Sequence, residues 1–406
     1  MTSWLNILAV CIGIGTYAYI AYPLLLWLLA QVRQALPVMQ GEPREWPRIS
    51  ITLPAYNAQE TLRPVLDALV ALDYPTDRRQ ILVVSDGSTD GTDALVGEYA
   101  ARGIELLRIE GRLGKTEVEN RAFASLTGDI IVNTDASVTV RPDAIKRLIS
   151  AFQDPGVGAA SARDISVSSV GAKGHTSEAA YVRYEMRIRD LETAVSGIIG
   201  SSGCLYAIRA SLHRRPLPAH LSRDFASALW AHLHGLRAVS VHEAICFVPR
   251  AANMQIEYRR KIRTMSRGIQ TLFYHHALLN PFRHGVFAWM LWSHKLVRWL
   301  VPFAVVIGVV AASSAAYLMP FAVPSLALFA HLTLLTIGAG LLSAATGWWW
   351  PRNGKAPKIA AMGAYFVSGT WAGIVAWKRA ILGAGTPTWE PTPRALSAAR
   401  GTPTPK

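Results

Sequence analysis

Three short segments of the sequence place polar side chains directly after runs of apolar residues. A carboxylate beside a glycine at such a point can hydrogen-bond a base or a ribose while the backbone stays close to the ligand. Each segment alone also fits an ordinary turn, with Asn57 as a helix cap or with Asp, Gly and Ser as loop residues. All three in succession favour one ligand-binding crevice. The segments are Pro54-Ala55-Tyr56-Asn57 with Glu60, Ser85-Asp86-Gly87-Ser88-Thr89-Asp90-Gly91-Thr92, and Asn133-Thr134-Asp135-Ala136-Ser137.

Basic side chains that suit a diphosphate stand near these segments. Arg112 and Lys115 accompany two glycines in Gly111-Arg112-Leu113-Gly114-Lys115, although the spacing is not that of a P-loop ATPase. A second basic group ends at Arg267, and such a run is ordinarily a solvated or membrane-facing helix face. Both groups are therefore candidate anion contacts.

The elements around these residues predict an α/β fold with a mostly parallel sheet. Residues 49–53, 81–85 and 130–133 are short runs rich in Ile, Val and Leu, as buried parallel strands are. Helical patterns at 61–72 and 116–126 separate them. Ligands bind such sheets at the carboxyl ends of the strands, where the polar segments stand.

Composition indicates a membrane protein. Hydrophobic residues make up 51% of the 406 residues and charged residues 17%, whereas soluble domains carry roughly 25% charge. Residues 4–30 carry no charge, and Arg33, Arg44 and Arg48 follow them, so the positive-inside rule predicts a cytoplasmic next domain. The net charge of +14 fits this bias, and the three separated cysteines form neither a disulfide framework nor a zinc pattern.

The remaining chain returns to apolar sequence. Residues 284–300 mix Trp with His, Lys and Arg and predict a helix in the interface plane. Residues 301–318, 321–348 and 359–377 are spanning candidates. The predicted organisation is 1–32 as a membrane helix, 48–283 as a cytoplasmic domain, 284–300 as the interface helix, 301–383 as membrane helices and 384–406 as an extended tail. The sequence does not decide on which side of the membrane the tail lies. Three spans after a cytoplasmic domain would put it outside, whereas Lys378 and Arg379 favour the inside.

The strand-end motifs resemble those of inverting family 2 glycosyltransferases with the GT-A fold, and in particular the membrane-integrated branch that includes cellulose, chitin and hyaluronan synthases. The similarity continues in Gly114-Lys115 with Asn120, and Asp135-Ala136-Ser137 stands where the family has Asp-x-Asp. It implies a GT-A domain that binds a nucleotide-sugar, with UDP favoured. The donor contacts implied are Pro54, Ala55, Tyr56, Asn57, Glu60, Asp86, Lys115 and Asp135.

The resemblance also implies residues for the transfer itself. Gly203, Cys204 and Leu205 lie in the stretch that lines the acceptor side. Asp224 stands where the family has the second acid of an acidic pair, and it is implied as the general base, although an Asp after Arg223 is otherwise a surface ion pair. Arg267 is implied as a contact of the diphosphate.

Two positions depart from the family pattern. Ser137 replaces the acid that usually holds the metal, so a Mg or Mn ion at Asp135 is expected to be held more weakly. Gly268 stands where processive relatives carry a Trp, which favours a nonprocessive transferase. His294 is interpreted as a structural residue.

The sequence therefore predicts a transferase of the plasma (inner) membrane that moves sugar to a glycan or a lipid-linked acceptor, with membrane lipids as partners and no nucleic acid. A processive synthase that extrudes its polymer is the alternative within the class. An inactive nucleotide-sugar-binding scaffold stays open because of Ser137 and Arg223. A transporter would keep polar residues in its spans and would not need so large a polar middle.

Overall fold

In the computed structural model, residues 2–32, 41–167, 176–249, 254–318, 324–349, 357–383 and 388 are described. Arg33, the charged segment with Arg352 and Lys355, and nearly all of the predicted tail lie outside the described residues. The predictions made for these segments therefore stay predictions.

The described part of the middle segment contains one eight-stranded sheet, in the order β3-β2-β1-β4-β7-β6-β8-β5. β1 pairs in parallel with β2 and β4, β2 pairs in parallel with β3, and β6 pairs in parallel with β8, whereas β7 and β5 run antiparallel to their neighbours. The three strands predicted from sequence are β1, β2 and β4, and all three are parallel. The strands are β1 Ile49–Ala55, β2 Arg79–Asp86, β3 Ile104–Ile109, β4 Ile130–Thr134, β5 Thr139–Val140, β6 Val157–Val167, β7 Leu205–Arg209 and β8 Arg237–Pro249.

Strand residues alternate between two buried layers, as period-2 geometry requires. On β2, Ile81 and Val83 pack into one core and Leu82 and Val84 into the other. Helices cover both faces, which is why the strands are apolar on both sides. The helices up to residue 274 are α1 Thr2–Thr16, α2 Tyr22–Val32, α3 Gln59–Val70, α4 Thr92–Gly97, α5 Lys115–Ala122, α6 Ala144–Ser150, α7 Thr176–Val195, α8 Ala210–His213, α9 Arg223–Leu233 and α10 Met254–Tyr274.

Four helical segments among the described residues are long and apolar enough to cross a membrane: Ser3–Val32, Pro281–Leu318, Leu328–Trp349 and Ile359–Ile381. Large apolar side chains on them are exposed, such as Leu335, Leu342 and Ile359, as expected of surfaces that face lipid. The helices after residue 280 are α11 Pro281–Leu291, α12 Arg298–Leu318, α13 Pro324–Trp349 and α14 Lys358–Ile381.

The predicted interface helix is continuous with the first predicted span after it. α11 passes through a π-helical turn at Trp292–Val297 into α12, with non-helical backbone angles at Gly285. An orientation of residues 284–300 in the interface plane stays a prediction.

A third apolar cluster joins the candidate membrane-spanning helices to the sheet domain. It contains Tyr22 from α2, Ile188 from α7, Phe225 from α9 and Phe287 from α11. α9 also carries Asp224, so the helix that presents this acid packs directly against the membrane region.

Candidate active site

The segment after β1 folds onto the turn after β2. Asn57 adopts a left-handed backbone conformation with φ 44°, and its Oδ1 accepts a hydrogen bond from the backbone N–H of Thr89 at 2.8 Å. Ala58, without a side-chain cap, precedes α3, so Asn57 is not a helix cap and the capping role considered from the sequence is wrong. The segment after β1 and the turn after β2 therefore lie against each other. This arrangement fits the single crevice that the sequence predicts.

Asp86 is buried and organises the next loop. Its two carboxylate oxygens accept hydrogen bonds from the backbone N–H groups of Leu113 and Gly114 at 2.7 and 2.9 Å. Gly87 has φ 65°, and a Cβ there would lie 2.7 Å from the carbonyl oxygen of Gly111, so the close approach of the two turns requires glycine. The guanidinium of Arg112 lies 4.1 Å above the ring of Tyr56, which fixes the mouth of the crevice.

Lys115 and Asp135 form an ion pair at the carboxyl ends of the sheet, with Nζ 2.5 Å from Oδ1. Nζ also lies 3.4 Å from the carbonyl oxygen of Gly203, which connects the donor side to the predicted acceptor stretch. Burial opposes the charge of Lys115, but Asp135, Glu119 and Asp224 outweigh it and raise the pKa of the ammonium above its usual value. A fixed positive charge therefore stands at this site.

The residues around Asp135 do not form a metal site by themselves. Ser137 replaces the second acid, and one oxygen of Asp135 faces Lys115. In the part of the chain that the structure describes, no group of three His, Cys, Asp or Glu side chains is suited to a metal ion. Since Mg and Mn prefer several carboxylate or phosphate oxygens, this donor set does not fit an ion held by the protein alone.

Asp224 lies in the first turn of α9, beside the acceptor stretch. The hydroxyl of Ser222 donates a hydrogen bond to its Oδ1. A Cβ at Gly203 would lie 2.7 Å from its Oδ2, so glycine allows the acceptor loop to pass directly over the carboxylate. The half-buried carboxylate lines the same cavity as Lys115 and Asp135.

Arg223 points away from Asp224, so the surface ion pair considered from the sequence is wrong. The guanidinium is 3% exposed, and its Nε lies 3.4 Å from Oε2 of Glu119, which is 1% exposed. Arg223 also donates to the side-chain oxygen of Asn120 and to the backbone oxygen of His213. Burial raises the pKa of Glu119, while Lys115 and Arg223 oppose that shift.

Arg267 reaches from α10 into the site. It donates hydrogen bonds to Oγ1 of Thr116 at 2.6 Å and to the carbonyl oxygens of Ala219 and Leu221. Burial lowers the pKa of its guanidinium. Beside it, Trp299 of α12 packs over Gly268, where a Cβ would lie 2.9 Å from the indole Cζ2. An indole ring of α12 thus lies beside position 268, a contact that the sequence did not predict.

One cavity of about 1660 Å³ brings most of the predicted residues together. Its lining includes Tyr56, Asn57, Glu60, Lys115, Asp135, Gly203, Cys204, Asp224 and Arg267. Pro54, Ala55, Asp86 and Leu205 lie behind this lining as buried parts of the strand ends. We call this cavity the chamber, and its other end reaches the membrane helices at Val301, Met362 and Phe366.

In the lining of the chamber, His294 joins two acids of α7. Its Nε2 lies 2.9 Å from Glu185 and its Nδ1 2.6 Å from Glu192. Burial opposes ionisation of both acids, but the charge of His294 and its hydrogen bonds dominate and lower their pKa values. The hydroxyl of Tyr22 donates to Glu192 and Arg298 pairs with Glu185, so His294 lies in a structural network, consistent with its interpretation from sequence.

Comparison with known proteins finds a family and a solved structure that the sheet domain resembles. Residues 50–214 match the model of glycosyl transferase family 2. Over 92% of its length the chain also matches the structure of a mannosyltransferase from Pyrobaculum calidifontis in complex with GDP-Man and Mn²⁺, with a TM-score of 0.69, 22% identity and 99% coverage of that chain. Residues 50–214 are therefore similar to family 2 glycosyltransferases, and the fold is GT-A.

Curated relatives match part of the chain. An N-acetylglucosaminyltransferase of Mesorhizobium japonicum is 35% identical over 160 residues, which are 36% of this chain and 37% of the relative. The poly-beta-1,6-N-acetyl-D-glucosamine synthase of Staphylococcus epidermidis is 26% identical over 170 residues, 41% of each protein. The matches thus span about two fifths or less of these relatives.

Proposed function

We propose that the protein is a membrane-embedded inverting glycosyltransferase that moves a sugar from a nucleotide-sugar, with UDP as the favoured nucleotide, to a lipid-linked or exported glycan acceptor. The observation that carries the proposal is the chamber, because it holds Lys115, Asp135, Asp224 and Arg267 at one end and membrane-helix side chains at the other. A donor at the strand ends and an acceptor from the membrane side would meet at Asp224.

In the proposed reaction, Asp224 accepts the proton of an acceptor hydroxyl as that oxygen bonds to the anomeric carbon. The bond from this carbon to the diphosphate breaks, and its electron pair leaves with the diphosphate. Lys115 and Arg267 supply fixed positive charge for the leaving group, which is most effective where water is excluded. The ion pair with Asp135 supports this role, since it keeps the Lys115 ammonium charged and in place.

Processive polysaccharide synthesis is a second candidate, favoured by the poly-N-acetylglucosamine synthase among the relatives. The absence of Trp at position 268 favours nonprocessive transfer, although Trp299 contacts the same position from α12. Chromatography of the product separates the two candidates, because a nonprocessive enzyme adds one or a few sugars and a processive one yields long chains.

The proposal is tested by incubating the purified protein and a membrane lipid extract with UDP-N-acetylglucosamine, UDP-glucose or GDP-mannose. We expect one donor to release nucleoside diphosphate and to label the lipid or glycan fraction. The names of the relatives put N-acetylglucosamine first in the panel. If no donor is consumed, the proposal is wrong, and a donor that binds without being consumed would indicate the inactive scaffold instead.

A further inference from the structure

The half of the chamber nearest the membrane carries a strong excess of positive charge. Apart from Arg267, α7, α10 and the helical run Pro281–Leu318 contribute seven basic and two acidic side chains to the described lining. The two acids are already engaged, because Glu257 pairs with Arg260 at 2.8 Å and Glu185 pairs with Arg298 and His294. Such an excess attracts an anion.

Lys295 is the most distinctive of these cations. Among the described residues its Nζ has no hydrogen-bond acceptor, and the described contact of the ammonium is with the ring of Phe225, 5.5 Å away. Glu185 and Glu192 on α7 act on this ammonium through their charge, but both acids are hydrogen-bonded to His294 and neither accepts a hydrogen bond from Lys295. Because the ammonium of Lys295 has no acceptor among the described residues, its N–H groups can donate hydrogen bonds to a ligand in the chamber.

The position of Lys295 suits the acceptor rather than the donor. A Cβ at Gly200 would lie 3.8 Å from Cε of Lys295, and a Cβ at Gly203 would lie 2.7 Å from Oδ2 of Asp224. The loop between these glycines spans at most about 11 Å when fully extended. Lys295 and Asp224 therefore lie beside the two ends of one short loop, and both line the chamber.

The chamber next to Lys295 opens on apolar side chains. Val301 and Pro302 lie on the same helical run, and Met362 and Phe366 line the chamber from α14. These helices are long and apolar enough to cross a membrane. A ligand that places an anion at Lys295 and an acyl or prenyl chain along these side chains satisfies both parts of the lining.

We propose that the acceptor is a phosphate-bearing lipid and that Lys295 binds its phosphate, so that the accepting hydroxyl is presented to Asp224. The inference rests on the proposed glycosyltransferase function and names its acceptor class. Lys295 is a specificity residue here, because it contacts the acceptor and not the bond that breaks.

The test measures lipid binding by native mass spectrometry in a neutral maltoside detergent. UDP is present at saturation, so that the donor-side cations are occupied. Phosphatidic acid is compared with diacylglycerol of the same acyl chains, because the two lipids differ only in the phosphate. We expect phosphatidic acid to bind about 10-fold to 100-fold more tightly, as charge-assisted hydrogen bonds allow. Equal binding of the two lipids to the wild-type protein would overturn the inference.

Substitutions of Lys295 test whether this side chain causes the preference for phosphatidic acid over diacylglycerol. Lys295→Met should abolish the preference for phosphatidic acid and Lys295→Arg should retain it. Arg283→Met is the matched control, since Arg283 is an exposed cation on the same helical run that does not line the chamber. UDP binding on the same preparations checks that each variant is folded. Lys295→Met with an undiminished preference would contradict the proposal.

Competition with inorganic phosphate distinguishes a lipid site from a site for the free anion. Inorganic phosphate at the same concentration should not displace phosphatidic acid, and displacement would indicate a site for free phosphate instead of a lipid. Donor consumption is measured separately and needs no lipid binding data. Donors consumed without any phosphate-lipid preference would overturn this inference alone, whereas a failure to consume any donor would overturn the proposed function.

Discussion

At the scale of single residues, the ion pair between Lys115 and Asp135 bears directly on metal use. The ammonium lies 2.5 Å from one carboxylate oxygen, and Ser137 stands where a second acid would be. The positive charge at the strand ends is therefore part of the protein and does not depend on a bound ion.

We expect Ser137→Asp to tighten divalent ion binding by about tenfold, the effect of roughly 1.4 kcal/mol, because a second carboxylate is a ligand that Mg and Mn prefer. Calorimetric titration of Mn²⁺ in the presence of UDP measures the change. Ser137→Ala is the matched control and should leave the affinity unaltered. Equal affinities in Ser137→Asp and the wild type would mean that position 137 does not face the ion.

At the scale of elements, the buried pair of Glu119 and Arg223 connects α5, which carries Lys115, to α9, which carries Asp224. Both side chains are almost completely buried, and neither carboxylate oxygen of Glu119 has a hydrogen-bond partner among the described residues. The pair therefore sets how the donor side and the proposed base lie relative to each other.

Arg223→Met should destabilise the protein by about 3 to 5 kcal/mol, because it leaves the Glu119 charge buried and unpaired. The double variant Glu119→Leu with Arg223→Met removes both charges and should regain most of that loss. The soluble fraction after heating, measured in detergent, reports both effects. A double variant no more stable than Arg223→Met would show that the pair is not the cause.

A second contact between elements is the packing of Trp299, in α12, against Gly268, in α10. Gly268→Ala should cost about 1 to 3 kcal/mol through overpacking, because its Cβ would lie 2.9 Å from the indole. Adding Trp299→Phe should relieve most of this cost, since the smaller ring makes room for the methyl group. Thermal stability of the two variants and of Trp299→Phe alone provides the measurement. Gly268→Ala with wild-type stability would contradict the packing described here.

The elements that could be predicted from sequence are those that short segments determine. The apolar runs of β1, β2 and β4 and the polar residues at their ends are local signals, and the structure confirms the parallel strands. Trp299 and the pair of Glu119 with Arg223 were missed, because each contact joins residues far apart in the chain. Glu119 in particular sits in a short polar helix, α5, whose sequence gives no sign that this acid is buried.

At the scale of the whole molecule, the apolar helices and the sheet domain share one packed cluster and one chamber. The four long apolar helices support a membrane protein. The orientation stays a prediction from the positive-inside rule, which puts the sheet domain in the cytoplasm.

A single cysteine at the exposed position Glu98, in a background without Cys11, Cys204 and Cys246, should resist an impermeant thiol reagent in intact cells. It should react after permeabilisation, because the positive-inside rule predicts that the domain faces the cytoplasm. Asn353→Cys, outside the described residues, is predicted on the same side from Arg352, Lys355 and Lys358. Labelling of Glu98→Cys in intact cells would reverse the proposed topology.

The central claim is that Asp224 removes the acceptor proton in a chamber shared by the donor and a membrane-borne acceptor. The most direct measurement is the transfer rate of Asp224→Asn, with UDP binding measured on the same preparation. The account predicts a rate about 100-fold to 10,000-fold lower, the usual contribution of a positioned base, with UDP affinity nearly unchanged. Near wild-type transfer by Asp224→Asn would contradict it.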